Sequence, residues 1–119
     1  MTHEKIDELR DLKERMRAFA AARDWEQFHT PRNLATAVAV EAAELLEPFR
    51  WATSEVTTFE PAQLEALKQE AADVLLCLVR FADTLGIELY QAALDKIVIN
   101  ESRYPADKVR GSAKKYSEY

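Results

Sequence analysis

A lone cysteine, Cys77, among 119 residues excludes an intramolecular disulfide framework. Glycine is almost as scarce, with only Gly86 and Gly111, and there are four prolines. A many-stranded β fold needs frequent turn residues, so this scarcity argues for helices. No uninterrupted apolar run is long enough to span a bilayer, and no membrane partner is expected. The first residues, with Glu4, Asp7 and Glu8 among apolar neighbours, do not read as a signal peptide, which leads to the expectation of a cytoplasmic protein. Excess positive charge is also missing. The net charge is −5, which disfavours a nucleic-acid polymer as partner, because duplex affinity rests on Lys and Arg neutralising phosphates. A single nucleotide remains an option if a metal supplies the positive charge.

What remains is ordinary for a globular domain, 48% hydrophobic and 31% charged, and long enough for one core. Four helical stretches are expected. The first runs from about Glu4 to Arg23 with Thr2 as N-cap; Leu9, Leu12, Met16 and Phe19 form its apolar stripe, and Arg10, Glu14 and Arg17 its opposite face. The second opens at Thr30-Pro31, an N-cap followed by a proline at the first helical position, and runs to about Glu47. Pro48 implies a kink or an end there. Residues 52–59 read as a loop. The third spans Pro61 to Thr84 or Leu85, with Gly86 as its stop, and the fourth Glu88 to Arg103, closed by Pro105. Residues 1–105 form the expected domain, and 106–119 a charged tail, extended or loosely ordered.

Leu34–Leu46 and Ala71–Ala82 are apolar almost all round. A helix apolar on every side must be buried on every side, which four short helices scarcely achieve alone. An all-α four-helix bundle that oligomerises through apolar helix faces follows.

Within these helices sit misplaced charges. Glu41 and Glu44 stand three apart on one helix, Glu70 and Asp73 on another, so each pair shares a face. Exposed like charges at this spacing cost only about a few tenths of a kcal/mol. Carboxylates drawn into an interior cost about several kcal/mol per ion, so they protonate or bind a cation. Hard oxygen ligands suit magnesium, manganese or calcium. The competing reading, a solvated glutamate row, is disfavoured by the few polar residues in the flanks 34–40 and 74–79.

Trp25, Phe28, His29 and Trp51 bracket the second helix. Their flat faces could sandwich a base, worth ~1–3 kcal/mol per stacked base, or simply pack. Lys96, Asn100 and Arg103 share one stripe of the fourth helix, either a phosphate- or sugar-contacting row or a solvated face.

Together these segments resemble the MazG-like superfamily of all-α nucleoside triphosphate pyrophosphohydrolases, in particular its dCTP pyrophosphatase branch. The resemblance rests on Arg23-Asp24-Trp25-Glu26-Gln27-Phe28-His29, Pro31-Arg32-Asn33-Leu34, Glu41-Ala42-Ala43-Glu44, Glu70-Ala71-Ala72-Asp73, the late Lys96, Asn100 and Arg103-Tyr104-Pro105, and Lys115-Tyr116. It implies magnesium, with manganese as an alternative, held by Glu41, Glu44, Glu70 and Asp73. It implies a nucleobase pocket lined by Trp25–His29, with Gln27 among them, and by Trp51, and phosphate or sugar contacts from Lys96 and Asn100. The implied reaction converts a nucleoside triphosphate, dCTP or a 5-modified dCTP, into monophosphate and pyrophosphate, in a homodimer or homotetramer. Met16 and Cys77 depart from the histidine and tyrosine of dCTP-specific relatives, which opens the choice of base, including a dUTPase-like or broad activity. Cys77, one turn beyond Asp73, belongs beside the metal face on sequence alone. Two other readings compete: a non-catalytic helical metal-binding interaction module, and a di-iron bundle. The latter fails on ligand count, because it needs two Glu-x-x-His motifs and only Glu26–His29 matches.

Overall fold

The computed structural model describes residues 7–50, 58–113 and 117. Among them are five α-helices and no strand: α1 Glu8–Ala22, α2 Pro31–Leu46, α3 Pro61–Thr84, α4 Leu89–Arg103 and α5 Ala106–Val109. The chain divides into two compact units, residues 1–87 and 88–119.

Local chemistry sets the ends. Thr30 caps α2 as expected, its side chain accepting from the Asn33 backbone N–H, with Pro31 in the first turn. Glu60 precedes α3, and its backbone N–H donates to Gln63 Oε1 at 3.0 Å. Gly86, at φ +67°, closes α3: the Ile87 N–H reaches back to the Ala82 carbonyl at 2.9 Å, a turn that requires a left-handed residue. The same closure ends α1. There Asp24 takes the left-handed place at φ 54°, and the Trp25 N–H donates to the Ala20 carbonyl at 2.9 Å.

Two expectations are revised, and the kink or end expected at Pro48 is found to be an end. The first helix begins at Glu8, not near Glu4, because Asp7 is its N-cap and accepts from the Arg10 N–H; Thr2 lies outside the described residues. Pro48 ends α2 by tightening the chain into a single 3-10 turn, Glu47–Phe49. In the segment expected to be extended or loosely ordered, 106–119, a one-turn helix, α5, forms after Pro105.

In the first unit, α2 and α3 pair and α1 packs on α3. Residues near the start of α2 line the same cavity as the second half of α3, and residues near its end meet the first half, so α2 and α3 run antiparallel. The buried apolar core among the described residues is small: Ala20, Leu34, Val79 and Ala82. Val40, Leu46, Leu64 and Leu75 are at least 40% exposed on α2 and α3. No residue of α4, in the second unit, is buried. No described helix is long and apolar enough to cross a membrane.

Candidate active site

Antiparallel pairing brings the acidic face of α2 against that of α3. Glu41, Glu44 and Glu70 each offer a carboxylate oxygen, and these oxygens lie within 4.8 Å of one another. Glu41 and Glu70 are half-buried, and the Oε2 atom of each is buried with no hydrogen-bond partner. An unpaired buried carboxylate oxygen is costly and is rarely tolerated without a purpose. The hydrogen bonding and charge of Glu41 and Glu44, together with burial, push the Glu70 carboxyl up to about 7. Three carboxylates gathered this closely, two of them carrying a buried oxygen without a partner, form a donor set suited to a hard divalent cation. Asp73 stands one helical turn beyond Glu70, exposed, and lines the adjoining cavity with Glu41; it is not one of the three clustered acids.

That cavity, about 430 Å³, lies against the cluster. Its apolar walls include Met16 and Phe19 from α1, Leu34 and Ala37 from α2, and Leu76 from α3, with Trp25 and Phe28 at the α1–α2 turn. Glu41, Asp73, Cys77, His29, Asn33 and Arg80 supply its polar groups. Burial, then the charges of Glu41 and Asp73, push the Cys77 thiol up, so it is an uncharged wall and not a thiolate nucleophile. A second depression, about 480 Å³, lies on the other side of the acids and is lined by Glu44, Glu47, Gln63 and Glu70.

The turn that carries the aromatic residues is built locally. Asp24 holds the left-handed position, and Gln27 Nε2 donates to the Asp24 carbonyl at 3.0 Å and to its Oδ2 at 3.2 Å. The Gln27 amide, expected in the base pocket, is thereby committed to the turn, and Gln27 does not line the cavity. Asn33 Nδ2 donates to the Phe28 carbonyl at 2.9 Å and ties the turn to α2. Trp25 meets Phe19 edge-on at 5.7 Å and His29 at 6.3 Å, with planes 63° apart in the second pair. Trp25 and His29 are therefore not two parallel walls around a base. Trp25, 44% exposed, and Phe28, 58% exposed, both keep surface for stacking, and Trp25 offers the larger ring.

One group of residues at this site was not anticipated. Arg80 is buried at 8% exposure; its Nε donates to His29 Nδ1 at 3.0 Å and its Nη1 to Asp83 Oδ2 at 3.1 Å. Asp83 also accepts two bonds from Arg17, at 2.7 and 2.5 Å, so the pair ties α1 to α3. Arg17, read from sequence as part of the outer face of α1, reaches inward because its long side chain can bring the guanidinium to Asp83 while staying 56% exposed. The signal was present: Arg80 interrupts an apolar helix just as the glutamates do, with Asp83 three residues on. Lys96 and Asn100 lie four apart on α4, exposed, in the second unit. Trp51 lies outside the described residues, as do Lys115 and Tyr116.

With this geometry in view, the likenesses to other proteins are informative. The model of the MazG-like family matches residues 36–119. The chain is 43% identical over 113 residues to dCTP pyrophosphatase 1 of Homo sapiens, covering 92% of this chain and 66% of that protein. The bovine protein of the same name is 42% identical, at 92% and 67% coverage. The chain thus spans about two thirds of the length of these curated relatives. Among solved structures, a pyrophosphatase from Archaeoglobus fulgidus matches with a TM-score of 0.71 and 32% identity, over 88% of this chain and 99% of that one.

Proposed function

The chain belongs to the MazG-like family, and from that premise we propose that it hydrolyses a nucleoside triphosphate to monophosphate and pyrophosphate, with dCTP or a 5-substituted dCTP preferred. The observation that carries this reading is the junction at Glu41, which belongs both to the acidic cluster and to the aromatic-lined cavity. A nucleobase in the cavity places its phosphates toward the acids.

Glu41, Glu44 and Glu70 would hold magnesium, with Asp73 completing the acidic rim; the orphaned Oε2 atoms of Glu41 and Glu70 are the observation that fits them to a cation. The chemistry supplied by bound magnesium is charge neutralisation at phosphate oxygens and activation of water for attack on the α-phosphorus. Trp25 stacks the base, a contact that favours any base and selects none. Phe19, Phe28 and Leu34 exclude water around it. Glu41 or Glu44 takes the proton released by the attacking water at a free carboxylate oxygen. Lys96 and Asn100, and Trp51 after α2, remain the proposed sources of further phosphate, sugar and base contacts.

The exposed apolar residues of α2 and α3 support assembly into a homodimer or homotetramer. Full burial of a Leu or Val contributes only about 1.5–3 kcal/mol, against about 1–2 kcal/mol of backbone entropy per residue ordered. The buried apolar core of Ala20, Leu34, Val79 and Ala82 is small, and covering Val40, Leu46, Leu64 and Leu75 with another copy would add to it. Analytical ultracentrifugation at micromolar concentration tests this; a monomer contradicts it.

Chromatography after incubation with dCTP and magnesium tests the reaction. Formation of dCMP and pyrophosphate is expected, whereas dCDP and orthophosphate would put attack at the γ-phosphorus. Comparing kcat/KM for dCTP, dUTP, dTTP and dATP tests the pocket. A clear purine preference would overturn its assignment and leave the acidic site standing.

A further inference from the structure

His29 lines the cavity, and one of its ring nitrogens is already committed. Arg80 Nε approaches His29 Nδ1 at 3.0 Å. A guanidinium has only donors, so Nδ1 must be the unprotonated, accepting nitrogen. In a neutral imidazole the proton then sits on Nε2. Exchange to the other tautomer would set an N–H against an N–H. Protonation of both nitrogens would place an imidazolium against a guanidinium. Burial and the Arg80 charge both hold the His29 pKa below its usual value, and the weaker attraction of Glu26 opposes them.

Arg80 cannot easily turn away. It is 8% exposed and its Nη1 is bound to Asp83, which Arg17 grips from α1. No hydrogen-bond partner of His29 Nε2 is found among the described residues. Gln27, the other side chain of the turn able to read a base edge, is occupied by Asp24. Besides the indole N–H of Trp25, a donor in every state, the cavity thus holds an imidazole whose donor is fixed by its partner.

We propose that Arg80 locks His29 as a hydrogen-bond donor toward the nucleobase, so that the cavity accepts a base edge with an unprotonated ring nitrogen, as in cytosine, and rejects one with an N–H, as in uracil and thymine. The inference rests on the pyrophosphohydrolase reading and adds to it which residue selects the base. Arg80 is a positioning residue in this scheme, acting through His29. Discrimination of this kind arises because a mismatched base leaves two donors facing each other within the cavity.

The first test is nitrogen NMR of the full-length protein labelled at histidine, with the His3 signals identified by His3→Gln. At pH 7, His29 should show an N–H at Nε2 and a bare, hydrogen-bonded Nδ1. An N–H at Nδ1, or a doubly protonated ring, overturns the proposal without reference to activity. The second test is the ratio of kcat/KM for dCTP over dUTP. In Arg80→Met this ratio should fall by about tenfold or more, carried by KM for dCTP with kcat little changed. An unchanged ratio overturns the proposal. If Arg80→Met does not fold, His29→Gln and His29→Leu replace it. The glutamine carboxamide can set an N–H near the place of Nε2, so His29→Gln should retain more of the preference than His29→Leu, and equal losses overturn the proposal. Failure to release pyrophosphate from any nucleotide sinks the functional reading, and the base-selecting role with it. Release with dUTP preferred over dCTP sinks this inference alone.

Discussion

Two groups of charges are drawn into the same helical unit, and they are handled in opposite ways. At one end of the α2–α3 pairing, Glu41, Glu44 and Glu70 face one another with no cation among the described side chains, and two oxygens are orphaned. At the other, Arg17, Asp83, Arg80 and His29 form an alternating chain in which each group meets a complementary one. The proton affinities carry the same contrast: Glu70 is pushed up to about 7 by its like-charged neighbours, while bonding to Arg17 holds the Asp83 carboxyl below the usual range. A compensated network stabilises and positions. An uncompensated cluster is poised for something from outside. Mutations should therefore separate the two: loss at the acids falls on catalysis, and loss in the network falls on stability and, through His29, on the choice of base.

The largest expected effect is at the uncompensated end. Glu70→Gln should lower kcat/KM for the preferred triphosphate by about 100-fold or more, since a ligand ought to matter at least as much as the groups that merely orient ligands. The metal-free variant should be no less stable than the parent, because a repelled carboxylate is replaced by a neutral amide. A large loss of stability with activity retained would reverse the contrast.

At the compensated end the balance inverts. Asp83→Ala removes the acid between Arg17 and Arg80 and leaves Arg80 buried without its carboxylate. Breaking a buried pair from one side costs about 3–5 kcal/mol. Urea unfolding should show about 3 kcal/mol of that, the lower value reflecting the 56% exposure of the Arg17 side chain. A change below about 0.5 kcal/mol, the range of ordinary surface substitutions, would mean the network is decorative.

A smaller effect sharpens the role of His29. Its pKa in the folded protein is depressed, so the unfolded chain takes up the proton first as pH falls. The contribution of His29 to stability is present above about 6.5 and is lost as pH drops through that value toward the folded pKa. Asp83 adds no slope in this window, because its depressed folded pKa makes its contribution disappear only below the ordinary carboxylate range. Glu70, raised to about 7, works the other way in this window and gains stability as pH falls, so the comparison is made in Glu70→Gln: there urea midpoints at pH 7.5, 6 and 5 should decline, and decline less when His29→Gln is added.

The uneven legibility of the sequence follows the same division. The carboxylate pairs could be read because their spacing within each helix is local and their apolar flanks reveal the cost. The ends of α2 and α3 could be read because Thr30-Pro31 and Gly86 act on their own neighbourhoods. The start of α1 was misplaced because the cap was assigned to Thr2, whereas Asp7 accepts from the Arg10 N–H. Gln27 looked available for a base until the left-handed turn at Asp24 claimed its amide. The Arg80–Asp83 pair left a local trace in α3, but its links to Arg17 and His29 left none, because residues 17 and 83 are 66 positions apart and no local pattern marks their meeting.

The central claim is that the unpaired acids await a divalent cation, and thermal unfolding against magnesium concentration tests it most directly. A ligand that binds the native state at 100 times its Kd adds about 2.7 kcal/mol, which for a domain of this size corresponds to a rise in Tm of about 10 °C. The parent protein should show a rise of that order, reversed by EDTA, and the double variant Glu41→Gln/Glu70→Gln should show almost none. Equal Tm values for parent and variant across the magnesium titration, with full triphosphate turnover in EDTA, would contradict the account.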